Sequence, residues 1–245
     1  MTPRLPLPTD HVDLWHASVS EAGTPPRLAQ YRELMEPHER AQADRFVFDK
    51  DRHEYTVARA LVRTTLSRYL DRAPADWRFE KNRYGRPEII PAPVEPRLRF
   101  NLTHTRGLVA VAVVLERDIG VDAENLTRRD VGPSVADRYF SPSEVAELAT
   151  VTSDARQRRF LEYWTLKESY IKARGMGLSL PLDQFSFHLS ASNPTISFDP
   201  RLVDEPAAWQ FRQFWLPEHL LAVALRRESG ADIEVRVRGV TPLVD

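Results

Sequence analysis

The sequence predicts an α+β protein made of two similar halves, and three observations carry that prediction. The first is the order of patterns. A helical stretch over residues 28–71 precedes apolar runs at 99–102 and 108–115 that read as strands, and helical patterns return between residues 141 and 174 with further strand signals after them. The second is an internal echo. Phe100 to Leu115 reads as a strand, a turn with a histidine and an Ala/Val-rich strand, and Phe211 to Leu225 repeats that order through Phe214, Trp215 and His219. The third is length: 245 residues and 28.2 kDa allow one large domain or two small ones, each with a real core.

In chain order, Arg59, Leu61, Val62, Leu66, Tyr69 and Leu70 recur at helical spacing. The arginines Arg40, Arg45, Arg52, Arg59 and Arg63 are mixed with acids and read mostly as surface charge. Tyr84-Gly85-Arg86-Pro87 is a turn sequence, and Pro91, Pro93 and Pro96 mark an irregular connection. Arg99–Leu102 and Leu108–Leu115 read as strands around a Thr103-His104-Thr105-Arg106-Gly107 turn. Arg117-Asp118 turns the chain into a strand from Ile119 to Glu124. After a polar stretch from Asn125 to Pro133, Ser141, Pro142 and Glu144 supply an N-cap, an N1 proline and the N3 acid of a capping box. A long helix follows from about Gln157 to Arg174, with Gly175 as its natural stop. Phe185 and Phe187 read as a strand.

The chemistry concentrates in two acidic clusters. In Ile119-Gly120-Val121-Asp122-Ala123-Glu124, alternation puts Gly120, Asp122 and Glu124 on one face. In Trp164-Thr165-Leu166-Lys167-Glu168-Ser169, Glu168 falls between Trp164 and Leu161, in a stripe that also holds Phe160 and Ile171. A carboxylate at the edge of an apolar stripe is costly unless it is paired or binds a metal. Three carboxylates without a cysteine suit a hard cation such as Mg²⁺, with Mn²⁺ as a substitute. Lys167 and Lys172 bracket Glu168 and suit a polyanionic ligand. Against this, Glu168 and Lys172 also form a surface i, i+4 pair worth about 0.2–0.5 kcal/mol, and Lys167 fits a solvated face equally well. A lone histidine such as His104 is more often a surface or core residue than a catalytic one, and between two hydroxyls in a tight turn it could equally hold a phosphate. There is no P-loop and no dinucleotide glycine fingerprint. The residues alone point to a Mg²⁺-dependent enzyme acting on a phosphate ester or anhydride.

Composition narrows the classes. A net charge of -1 provides no bulk positive field for nucleic acid or anionic membrane. The absence of cysteine removes disulfides, thiol nucleophiles and thiolate metal sites, which fits a cytoplasmic location. Met1 to Trp15 contains three prolines and no apolar core, so no signal peptide is expected there. The apolar run Leu108 to Leu115 is too short to span a bilayer.

Four blocks together resemble the 4′-phosphopantetheinyl transferases, in the double-length type that activates peptide and polyketide synthetases. They are Phe100 to Thr105, Ile119 to Glu124, Arg138 to Glu144, and Trp164 to Leu182, in the family's order and spacing. The likeness extends to Arg45-Phe46 through Arg63 and to Tyr84–Pro87, so it covers most of the chain. The resemblance implies transfer of the phosphopantetheine arm of coenzyme A to a serine of an acyl or peptidyl carrier protein, with release of adenosine 3′,5′-bisphosphate. It also implies site residues. Asp122, Glu124 and Glu168 match the Mg²⁺ ligands, with Glu168 or a metal-bound water as base. Lys172 and His104 match catalytic residues that hold coenzyme A phosphates. Arg45, Arg52, Tyr84, Gly85, Arg86, Thr103 and Lys167 complete the set expected near coenzyme A. The segment Pro37 to Arg45 lacks the lysines that bind the 3′-phosphate in some members, and threonines flank His104 where serines are common.

The implied fold is a pseudo-dimer: an N-terminal half of residues 1–120 and a C-terminal half of 121–245. Each would be an antiparallel sheet packed by a long helix, with the site at their junction and a functional monomer as the result. Two other readings are a non-catalytic coenzyme A or carrier-protein binder and a Mg²⁺-dependent phosphohydrolase. Arg128, Arg129 and apolar residues near Tyr139, Phe140 and Met176 are expected to meet the carrier; the alternative is solvated arginines and core aromatics, and for Phe140 the core reading is favoured.

Overall fold

A computed structural model describes residues 4–91, 97–127, 133–189, 193–228 and 230–244. The chain forms two compact units. One comprises Met1–Asn82, Pro87–Glu116 and Ile233–Asp245; the other comprises Arg83–Arg86 and Arg117–Asp232.

The first unit begins with β1 (His11–Ser18), α1 (Val19–Ala22), α2 (Pro25–Leu34), α3 (Pro37–Asp44) and α4 (Asp49–Leu66). The single helical pattern read over residues 28–71 is therefore three helices. Pro25 and Pro37 each sit in a first turn, where the missing N–H costs nothing, and Glu36 with Glu39 closes a capping box that separates α2 from α3. The short pair β2 (Arg78–Lys81) and β3 (Pro87–Ile90) follows, then β4 (Leu98–Thr105) and β5 (Leu108–Leu115). The main sheet has the order β11-β1-β5-β4, where β11 (Glu234–Gly239) comes from the far end of the chain and pairs parallel to β1. The other pairings are antiparallel. Val57, Ala58, Leu61, Val62 and Leu66 of α4 form one core with Trp15, Phe100, Val109, Val111 and Val113. Both faces of β5 are buried, which explains its unbroken apolar run.

Two sequence expectations change here. Thr103, His104 and Thr105 belong to β4, and the turn is only Arg106-Gly107, with Gly107 at φ 85°. Arg63 is no surface charge. It is fully buried, with Glu39 accepting from Nη1 at 3.3 Å and from Nη2 at 2.6 Å.

The second unit contains β6 (Ile119–Asn125), α5 (Pro133–Tyr139), α6 (Pro142–Thr150), α7 (Ser153–Arg174), β7 (Phe185–His188), β8 (Thr195–Phe198), β9 (Trp209–Trp215) and β10 (His219–Arg226). Its sheet is antiparallel in the order β6-β10-β9, and β7 and β8 form a separate antiparallel pair. The capping box at Ser141 is formed in both directions, and Gly175 ends α7 in the left-handed region at φ 64°. Phe160, Leu161, Leu166, Tyr170 and Ile171 of α7 share a core with Phe140, Phe185, Phe187, Phe211, Leu220 and Ala222.

Each unit, taken by itself, is a sheet with one long helix packed on it, so the α+β expectation holds; the parallel edge strand β11 is the feature it did not include. The echo corresponds to two hairpins, β4–β5 and β9–β10. Their histidines are not equivalent, because His104 lies near the end of a first strand and His219 opens a second.

Candidate active site

The site grows from one close approach. Every residue of β6 is buried, so this strand has no solvated face. A Cβ at Gly120 would lie 2.0 Å from Ser169 O, 2.4 Å from Ala173 N and 3.0 Å from Lys172 C. Only glycine lets the backbones of β6 and α7 meet this way. Two and four residues on, the same strand carries Asp122 and Glu124. The helix carries Glu168 and Lys172, one turn apart, along the same contact.

The consequences are electrostatic. Lys172 Nζ donates to Asp122 Oδ1 at 2.5 Å, with Asp122 only 6% exposed and Glu124 only 7%. Glu168 is half-buried, and its pKa is pushed up to about 7. Burial is the main cause; Asp122 and Glu124 add to it by repulsion, and Lys172 opposes. Three carboxylates thus share a field that one lysine offsets in part. That donor chemistry fits a hard divalent cation. Among the described residues no group of three or more such side chains is gathered closely enough to hold a metal ion.

The end of α7 is fixed from a second direction. Arg86, nearly buried, donates from Nη1 to Lys172 O at 3.2 Å and Ala173 O at 2.9 Å, satisfying carbonyls that a helix end leaves without partners. Its neighbours differ: Tyr84 is 37% exposed with the Arg83 guanidinium 4.6 Å from its ring centre, and Gly85 has φ 90°.

Lys167 departs from both readings of the sequence. It is fully buried, and its ammonium meets Glu144 Oε2 at 2.8 Å, Leu182 O at 2.7 Å and Phe185 O at 2.7 Å. Burial pulls its pKa below the usual lysine range, with Glu144 opposing. Three acceptors take the three donors of an ammonium, so Lys167 is a structural residue and neither a ligand contact nor part of a solvated face. Sequence reasoning found Glu144 only as a helix cap. Its partnership with Lys167 spans two helices and has no local signature.

The remaining residues expected near coenzyme A lie in the first unit. His104 is exposed, and its Nδ1 lies 2.6 Å from Glu54 Oε1 on α4. A carboxylate only accepts, so Nδ1 carries the proton of that bond. Thr103 is buried. Arg45 is exposed at the end of α3, and Arg52 pairs with Asp49 at 2.8 Å. Glu54 was not singled out from the sequence. Of the expected carrier contacts, Arg128 and Arg129 lie outside the described residues. Phe140 is a core residue, Tyr139 packs edge-on against Trp164, and Met176 packs against the core.

Comparison with known proteins places the chain in a family. Residues 118–224 match the 4′-phosphopantetheinyl transferase superfamily, and residues 22–116 match the N-terminal region of 4′-phosphopantetheinyl transferases. The chain is 32% identical to 4′-phosphopantetheinyl transferase HetI of Nostoc sp. over 78% of its own length and 80% of that protein's. It is 33% identical to 4′-phosphopantetheinyl transferase Sfp of Bacillus subtilis, over 65% and 69% respectively. It also overlaps the crystal structure of Thermotoga maritima holo-[acyl-carrier-protein] synthase over 45% of this chain and 63% of that one, with 19% identity and a TM-score of 0.37. The chain belongs to the 4′-phosphopantetheinyl transferase superfamily.

Proposed function

We propose that this protein transfers the 4′-phosphopantetheine moiety of coenzyme A to a serine hydroxyl of an apo acyl or peptidyl carrier protein. The products are the holo carrier and adenosine 3′,5′-bisphosphate, and the reaction depends on Mg²⁺. Family membership supports the activity. The observation that supports the site is the contact of β6 with α7 at Gly120, with Lys172 bonded to Asp122 and the charges of Asp122 and Glu124 acting on Glu168.

In this reading Asp122, Glu124 and Glu168 would hold the metal, which supplies Lewis-acid stabilisation of charge on the phosphoryl oxygens. Lys172 exchanges its bond to Asp122 for a phosphate oxygen and lowers the charge that builds up as the phosphoanhydride breaks. Glu168 is the carboxylate we assign to take the serine proton as the hydroxyl attacks the β-phosphate. His104, Thr103, Arg45, Arg52 and Tyr84 to Arg86 are proposed coenzyme A contacts, on the strength of their match to the family's positions. For Arg86 this would be in addition to its bonds to the end of α7. We further propose a cytoplasmic monomer; no helix among the described residues is long and apolar enough to cross a membrane.

Mass spectrometry of an apo carrier protein mixed with coenzyme A, Mg²⁺ and this chain tests the reading. A carrier serine that gains the phosphopantetheine mass supports it. An unmodified carrier with intact coenzyme A indicates a binding protein, and hydrolysed coenzyme A indicates a phosphohydrolase.

A further inference from the structure

Four segments of the second unit converge on one buried ion pair. Glu144, 1% exposed, accepts from its own helix start through Ser141 N at 2.9 Å, from β7 through Phe187 N at 2.8 Å, and from Lys167 of α7 at 2.8 Å. Lys167 adds the carbonyls of Leu182 and Phe185, and lies 4.3 Å from the centre of the Phe185 ring. A buried pair is weak evidence for stability, since apolar residues of similar volume often serve as well. This pair is saturated, directional and joined to backbone on three elements. What it defines is geometry.

Lys167 precedes Glu168 directly, and consecutive helix residues point about 100° apart. One side of α7 is therefore pinned to α6 and β7 while the adjoining side meets the acids of β6. Side chains reach about 5–6 Å from a helix axis, so turning α7 by about 20° would move the Glu168 carboxylate on the order of 2 Å. A misplacement of about 1 Å can lower a rate about 100-fold. The contact at Gly120 limits how far α7 stands from β6, and the buried apolar side chains of α7 with the Tyr170–Asp204 bond set its rotation coarsely; the ion pair adds a directional polar contact on the side next to Glu168.

We infer that the Glu144–Lys167 pair is a positioning device that sets the rotation of α7, so that Glu168 and Lys172 face Asp122 and Glu124. The inference rests on the reading of that acid cluster as the reaction centre. Glu144 and Lys167 touch no reactant; they act through Glu168 and Lys172.

The test is the double variant E144Q/K167M, which removes both charges at nearly constant volume, with E144D as a second variant that keeps the charge and shifts it by about one bond. Thermal melts report the fold. Mn²⁺ binding in the presence of coenzyme A, followed by electron paramagnetic resonance, reports the cluster, and transfer to an apo carrier reports turnover. In a folded variant we expect Mn²⁺ affinity and kcat each to fall tenfold or more, with KM for the carrier unchanged. E144D should move both in the same direction by less. Wild-type Mn²⁺ affinity and kcat in either folded variant would overturn the inference. Failure of the underlying reading looks different: wild-type protein and D122A would then bind Mn²⁺ equally poorly.

Discussion

At Asp122 a single residue meets two demands. Its carboxylate pairs with Lys172 at 2.5 Å and also raises the pKa of Glu168. In the proposed function the Lys172 ammonium, which meets Asp122 and is 28% exposed, exchanges that partner for a phosphate. Lys172→Ala should therefore weaken coenzyme A binding at least tenfold, measured by calorimetry, while the melt stays close to wild type. Normal coenzyme A affinity would make the lysine a structural partner of Asp122 only. At this scale the three acids could be read from the sequence, because period-2 alternation and an acid beside an apolar stripe are local patterns. Lys167 could not. Nothing local distinguishes a lysine that packs over Phe185 and meets Glu144 from one that faces water, since both partners are remote in sequence.

Among the elements, α7 and β6 depend on each other. Gly120→Ala forces the backbones apart, because the new methyl group would meet main-chain atoms and no flexible side chain. Overpacking of this kind costs about 1–3 kcal/mol. We expect a loss of that size in chemical denaturation, together with reduced transfer. Full stability and activity would show that β6 and α7 need no such closeness. The last turns of α7 are also tied to the loop before β9. Asp204 accepts from Tyr170 at 2.6 Å and Trp209 at 3.0 Å, and pairs with Arg174. Burial works to raise the pKa of Asp204, but these bonds and the Glu205 backbone N–H outweigh it and hold the group below its ordinary 3.8. A depressed folded-state pKa contributes stability that is present above 3.8 and is lost as pH falls through the lower folded value. Asp204→Asn should accordingly flatten the acid limb of a stability–pH curve below about pH 4; an unchanged limb would remove Asp204 from the acid transition. The capping box at Ser141 and the stop at Gly175 were legible, since caps are written in adjacent residues. The end of β4 was not, because Thr103-His104-Thr105 has turn-like composition and continues as strand only through its pairing with β5.

For the whole molecule, the element hardest to read was β11. Its parallel pairing with β1 joins residues about 220 apart, from His11↔Glu234 to His16↔Gly239, and no local pattern specifies a partner so remote. Asp13 reinforces it, accepting from Tyr69 at 2.7 Å and from Arg238 of β11 at 3.2 Å. The two-part organisation was legible from repeated patterns, while the return of the chain end to the first unit was not. Both the proposed coenzyme A contacts and the acid cluster lie on one chain, so we expect light scattering to give a monomer with full activity; a stable dimer whose dissociation abolishes transfer would contradict this.

The central claim is that the acids of β6 and α7 form the reaction centre. Its most direct test is the single-turnover rate of phosphopantetheine transfer to an apo carrier for wild type and Asp122→Ala, each with Mg²⁺ and with excess chelator. Loss of a group that stabilises developing charge costs about 100-fold or more. The account predicts that wild type with Mg²⁺ transfers rapidly, and that Asp122→Ala or chelator slows transfer by at least that factor while the fold persists. Transfer at the wild-type rate by Asp122→Ala, or by wild type in excess chelator, would contradict it.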